Sequence, residues 1–185
     1  MKMKIAFTFF LQACLFNAQI SEKVQNFAKP LDTISHAESS RIGIAGEKSK
    51  IYEYFKKLSE VANNDDLFYF AKNGSNSLKL YSSQELFKRN DKRFLEIYKF
   101  YAENPLIMNY KMGCIGSRQN IADFLRDEIY SAKEIIGMRD ILLKEKDDVS
   151  KAQLESIIQE GYHQLTLKEV EFYRKEIEKI DSKIK

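Results

Sequence analysis

The apolar positions of this chain recur mostly at steps of three and four, the spacing that places side chains on one face of an α-helix. Ile51, Phe55, Leu58 and Ala62 form the first run, and Asn63-Asn64 interrupts it. Asn64 or Asp65 then supplies a cap for a short helix through Leu67, Phe68 and Phe70. The turn Asn73-Gly74-Ser75-Asn76 breaks that helix, and Leu78, Tyr81, Leu86 and Phe87 restart the period at once. Asp91 caps a further helix with Phe94, Ile97, Tyr98 and Tyr101, which Asn104-Pro105 closes because proline cannot continue a helix interior.

The segment "LIMNYKMGCIG", residues 106–116, is apolar and glycine-ended and reads as a helix turn or an ordered loop. Ser117 opens the longest periodic run, with Ile121, Leu125, Ile129, Ala132, Ile136 and Leu143, reaching about Lys146. Asp147-Asp148 breaks it. Ser150-x-x-Gln153 reads as a capping box for a short helix through Leu154, Ile157 and Ile158, ending at Gly161. Thr166-x-x-Glu169 is a second box and starts the terminal helix. There Val170, Tyr173, Ile177, Ile180 and Ile184 form one stripe that wants a partner helix, either the stripes of residues 118–146 and 151–160 or a second chain.

Short helices joined by brief breaks imply αα-hairpins. The fold class expected is all-α, built from antiparallel helical hairpins with long C-terminal helices. Only 2 prolines and 7 glycines punctuate the chain, which disfavours a many-turned β-sandwich. The expected organisation is a signal peptide over 1–18, a polar and partly disordered lead-in over 19–45, a helical domain over 46–146, and a C-terminal helical pair over 147–185. The lead-in holds Pro30 and no sustained period, with a short helix expected around Ser35–Ile42.

The first residues, "MKMKIAFTFFLQACLFNAQIS", carry Lys2 and Lys4, then an apolar stretch from Ile5 to Leu11, then Asn17-Ala18. That is the layout of a secretory signal, and the apolar run is too short for the ~20 residues of a spanning helix. "LFNAQ" resembles export signals of Bacteroidetes. A rival reading takes "LQAC" as a lipobox with Cys14 as a lipid-anchored first residue. Export makes the chain periplasmic or secreted. Loss of residues 1–18 removes Lys2 and Lys4 and no acid, so the formal charge falls from +3 to about +1. A chain so near neutrality has no electrostatic case for nucleic acid.

"NDDLFYFAKNGSNSLKLYSSQELFKRN", residues 64–90, resembles one HEAT-like repeat, with Leu67 and Phe70 on its first helix and Leu78-Lys79 opening the second. HEAT units usually carry proline, arginine and alanines where Ser77, Lys79, Ser82 and Ser83 stand. With Gly46, Ser49, Tyr52 and Leu58, and with "GCIGSRQNIADFL" over 113–125, the layout is similar to small exported HEAT-like proteins of Bacteroidetes. The resemblance covers roughly residues 43–130. It implies a HEAT-like α-α superhelix and protein–protein contacts, and it implies no activity or cofactor.

Candidate chemistry is sparse. Once Cys14 leaves with the signal, Cys114 stands alone, and with only His36 and His163 no zinc constellation assembles. Cys114 lies between Met112-Gly113 and Ile115-Gly116, an apolar setting that suggests a buried structural cysteine; the alternative is a thiol nucleophile. His36, beside Ser35 and Glu38, lies in a solvated loop, since no elbow motif supports a hydrolytic triad. His163 falls in a turn. Asp123, Asp127, Glu128 and Glu134 read as the charged outer face of one helix. "GIAGEKS", Gly43 to Ser49, lacks the Walker spacing. Of the aromatic residues, Tyr54, Tyr69, Phe100 and Tyr101 are candidates for an exposed binding patch. No catalytic, cofactor-binding or metal residue is assigned. The leading reading is an exported helical adaptor; the others are a thiol-dependent enzyme and an envelope lipoprotein.

Overall fold

The computed structural model describes residues 20–184. The expected signal peptide, residues 1–18, and Cys14 lie outside them. The helices are α1 (Glu22–Ala28), α2 (Lys50–Val61), α3 (Asn64–Asn73), α4 (Asn76–Lys88), α5 (Phe94–Glu103), α6 (Ile121–Leu142), α7 (Asp148–Gln159) and α8 (Leu167–Ile184). Among the described residues the chain is mostly helical, yet it is not all-α. Strands β1 (His36–Ile42), β2 (Glu47–Lys48), β3 (Ile107–Gly113) and β4 (Ile115–Asn120) form one mixed sheet in the order β2-β1-β3-β4.

The sheet overturns two local expectations. The helix expected at Ser35–Ile42 is strand β1, and the apolar segment 106–116 is the β3–β4 hairpin. The physical reason is pairing at long range. β1 lies parallel to β3, with His36 opposite Asn109 and Ala37 opposite Tyr110, so each strand satisfies its backbone only when the other is present. In β3 the side chains alternate: Met108 is buried and Tyr110 half-buried, while Ile107, Asn109 and Lys111 face out. Tyr110 packs on Phe124 of α6, with ring centroids 5.2 Å apart, which seats the inner face of the sheet on the helices.

The segment before β1 is tied to the helical core. Ser75 Oγ donates to the Leu31 carbonyl at 2.7 Å, and the Tyr81 hydroxyl donates to the Glu38 carbonyl at 2.7 Å. Val24, Ala28, Leu31 and Ala37 are all buried. The segment 20–42 therefore packs on the helical core through these side chains.

Helix boundaries follow their caps. Asn63 starts α3 through a reciprocal capping box with Asp66, and Ser75 starts α4. Asp147, not Ser150, caps α7, because its carboxylate accepts from the Ser150 amide at 2.9 Å. At α8 the box forms as read: Thr166 Oγ1 accepts from the Glu169 amide, and the Glu169 carboxylate accepts from the Thr166 amide at 2.8 Å. Asn90, just past the C-cap of α4, has a φ of 56°, the left-handed geometry asparagine tolerates after a helix C-terminus.

The terminal stripe docks within the chain. Val170, Tyr173 and Ile177 are buried against α5 and α6, and Ile184 at the end is exposed. Phe87, Phe94 and Tyr173 meet as one aromatic cluster with centroids 5.2–5.6 Å apart. The Tyr98 hydroxyl donates to Asp181 at 2.9 Å, and Arg126 pairs with the same carboxylate at 3.1 Å. α5, and not residues 151–160, is the second partner of this helix.

Candidate functional site

Three polar groupings and one exposed surface merit a chemical reading. The deepest grouping joins α4, α6 and the α7–α8 connection. Lys88 Nζ lies 3.1 Å from Glu128 Oε1, with both side chains largely excluded from solvent. Gln84 Nε2 donates to the other Glu128 oxygen at 3.1 Å, and the Tyr162 hydroxyl donates to Oε1. The Lys88 ammonium also sits 4.7 Å from the Tyr162 ring centroid. Gly161, with φ of 99°, lets the connection pass close: an added Cβ would stand 3.2 Å from Lys88 Cδ.

Burial acts to lower the pKa of Lys88, but the Glu128 carboxylate and the phenols of Tyr162 and Tyr52 outweigh it. The ammonium is held well above the ordinary lysine range. Burial likewise pushes the Tyr162 and Tyr110 hydroxyls up and keeps them neutral. A lysine locked in its charged form is no nucleophile or base. This cluster is a structural cross-brace. Glu128 is thus turned inward, against the outer-face reading, whereas Asp127 and Glu134 are exposed and Asp123 pairs with Arg126 at 2.7 Å.

The second grouping is Ser49, Glu38 and His36. Ser49 Oγ donates to Glu38 Oε2 at 2.7 Å and accepts from the Tyr52 amide as the cap of α2. His36 Nε2 lies 3.9 Å from the other Glu38 oxygen. A triad needs imidazole between hydroxyl and carboxylate. Here the carboxylate is between them, so the set fixes β1 to α2. His36 stands half-exposed on a strand instead of in a solvated loop; His163 is exposed in the α7–α8 turn.

The third grouping lines a cleft of about 250 Å³ that includes Arg41, Lys48, Tyr52, Lys56 and Glu160. Its walls are already tied together. Lys56 Nζ donates to the Gln159 carbonyl at 2.9 Å, Arg41 Nη1 to the Gly46 carbonyl at 3.1 Å, and Ser40 Oγ to Glu160 at 2.9 Å. Among the described residues no group of three or more His, Cys, Asp and Glu is placed to hold a metal ion. None of the described helices is long and apolar enough to cross a membrane.

The exposed surface is at one end of the sheet. The β1–β2 turn and the β3–β4 turn lie side by side, joined by the Gly43 amide donating to the Gly113 carbonyl at 3.0 Å. Around that link Ile44 is 97% exposed, Met112 59% and Ile115 67%, and Met112 and Ile115 are cross-strand partners. Cys114 is exposed in the same turn, which corrects its reading as a buried residue. Among the described residues no hydrogen bond reaches its sulfur, so exposure gives it access without a base. Of the four aromatic residues expected at a surface, Tyr54, Tyr69 and Phe100 are exposed. Tyr101 is buried, its hydroxyl donating to the Ala71 carbonyl at 2.6 Å. The spacing of Met108, Tyr110 and Met112 was the available signal for β3, but nothing in it marked two hairpin turns as neighbours.

Comparisons with protein-family models, characterised proteins and solved structures find no match for this chain.

Proposed function

We propose that this chain is an exported protein-binding module whose contact surface is the hairpin end of its sheet. One observation carries the reading: three large apolar side chains, Ile44, Met112 and Ile115, stand clear of the core on two turns held together by a backbone hydrogen bond. Large exposed apolar side chains gathered at one end of a sheet mark a contact surface for a partner. The helical body braces that end, through Tyr81 on β1 and Phe124 against Tyr110. The HEAT-like reading finds support in the α3–α4 hairpin, and the export reading in the N-terminal residue layout. Neither bears on which surface binds.

A second apolar corner, with Ile141, Leu143 and Val149 where α6 meets α7, is the rival surface. Its residues flank an ordinary interhelical turn, and among the described residues no backbone hydrogen bond between elements joins them as Gly43 is joined to Gly113. The test is cross-linked capture from the native envelope with matched variants. Ile44→Asp/Ile115→Asp should abolish capture of the partner while leaving circular dichroism unchanged. Ile141→Asp/Leu143→Asp should leave capture intact. The reverse pattern would move the binding surface to the α6–α7 corner.

A further inference from the structure

The free edge of the sheet adds a second, polar mode of recognition. β4 is an outer strand, and the direction of its backbone groups follows from contacts already described. The Gly113 carbonyl accepts from Gly43 and the Gly113 amide donates to Ser39 Oγ at 3.3 Å, so both groups of Gly113 point toward β1. Backbone direction alternates along a strand, so Met112, Tyr110 and Met108 direct theirs toward β4. Their partners there are Ile115, Ser117 and Gln119. The intervening residues Gly116 and Arg118 therefore aim their N–H and C=O groups away from β3. Among the described residues no donor or acceptor meets those four groups.

The side chains beside this edge are cationic. Antiparallel register puts Lys111 opposite Gly116 and Asn109 opposite Arg118 on the outer face, and parallel register adds His36 beside Asn109. Lys111 and Arg118 are exposed, and among the described residues neither forms an ion pair. Glu38, the residue opposite Lys111 on β1, directs its carboxylate to Ser49 and His36 instead. Gly116 carries no side chain, so an incoming backbone meets no obstruction there. A second copy of this chain would bring its own Arg118 to the same edge, which like-charge repulsion disfavours.

We infer that β4 accepts an extended segment of a partner protein with carboxylate side chains at alternate positions, paired with Gly116 and Arg118 and lying under Arg118 and Lys111. Strand addition of this kind takes its affinity from main-chain hydrogen bonds and its selectivity from alternate side chains. The inference rests on the protein-binding reading and names the chemistry of the partner.

The test uses the full chain and blocked octapeptides of alternating Thr and Glu. The acidic peptide should slow hydrogen exchange at the Gly116 and Arg118 amides and leave Ser117, already paired to Tyr110, unchanged. The Thr/Lys counterpart should bind at least about tenfold more weakly, and N-methylation of alternate peptide amides should abolish binding. Lys111→Glu/Arg118→Glu should reverse the preference between the two peptides. Equal protection by both peptides would overturn the acidic partner, and protection that survives N-methylation would overturn strand addition. So would unchanged exchange at Gly116 and Arg118 under saturating acidic peptide. Capture of the native partner separates the two levels. Loss with Ile44→Asp/Ile115→Asp but not with Arg118→Glu retains the binding surface and removes the acidic strand, whereas indifference to both removes the protein-binding reading itself.

Discussion

Glu128→Gln isolates the charge of the buried brace, because glutamine keeps the shape and leaves an oxygen for the Tyr162 hydroxyl. Lys88 and Glu128 are 3.1 Å apart with side-chain exposures of 11% and 16%, so solvent screening is small. Removing one partner of such a pair strands a buried charge and costs about 3–5 kcal/mol. At this chain length that lowers Tm by roughly 6–20 °C. Lys88→Met in the same background should recover most of the loss, since no unpaired charge remains. The pH dependence carries a second signature. In the wild type the folded Lys88 pKa is raised, so its contribution is complete below about pH 10.5 and declines above it. With Glu128 neutral, burial loses its largest opponent and the shift reverses, so stability rises with pH toward 10. Thermal denaturation followed by circular dichroism from pH 6 to 11 measures both. A Glu128→Gln variant melting within about 2 °C of wild type, with a flat profile to pH 10, would refute the brace.

Ile177→Ala should cost about 2–5 kcal/mol, because Ile177 is fully buried where α8 docks on α5 and α6; a loss under 1 kcal/mol in denaturant unfolding would show that α8 is not part of the core. Buried Tyr81, Tyr162 and Tyr110 all have folded pKa values above the ordinary 10.0, so wild-type stability should fall as pH rises past about 10; a stability plateau through pH 11.5 would contradict their burial. Cys114 should react with a thiol reagent in the native protein as fast as in denaturant, and protection in the native state would place the β3–β4 turn elsewhere.

The helices were legible because each buries a stripe repeating at three and four, as Ile121, Leu125, Ile129, Ala132 and Ile136 do on α6. The caps of α3 and α8 were legible to within a residue, but α5 has no side-chain cap at Arg93, Ser117 lies within β4 with α6 starting only at Ile121, and at α7 Asp147 outcompetes Ser150. The sheet was hidden for a physical reason. β1 buries only Ala37 among its seven residues, and the strand that completes it lies some seventy residues away, so no local period marks it. The inward turn of Glu128 was illegible for the same reason: its partner Lys88 belongs to another helix, forty residues earlier. Cys114 sits in an apolar sequence, yet it occupies an exposed hairpin turn that no helix covers. Local hydrophobicity does not report that exposure.

The hairpin end of the sheet is tested most directly with the native thiol of Cys114, which lies beside Ile115 and Met112. A photo-reactive maleimide attached there, with Cys14 replaced by Ser, should give one discrete cross-linked adduct on illumination in cells that produce the protein. The same reagent on Leu143→Cys in a Cys114→Ser background should give none. Equal adducts from both positions, or adducts from position 143 alone, would contradict the assignment of the binding surface to the sheet.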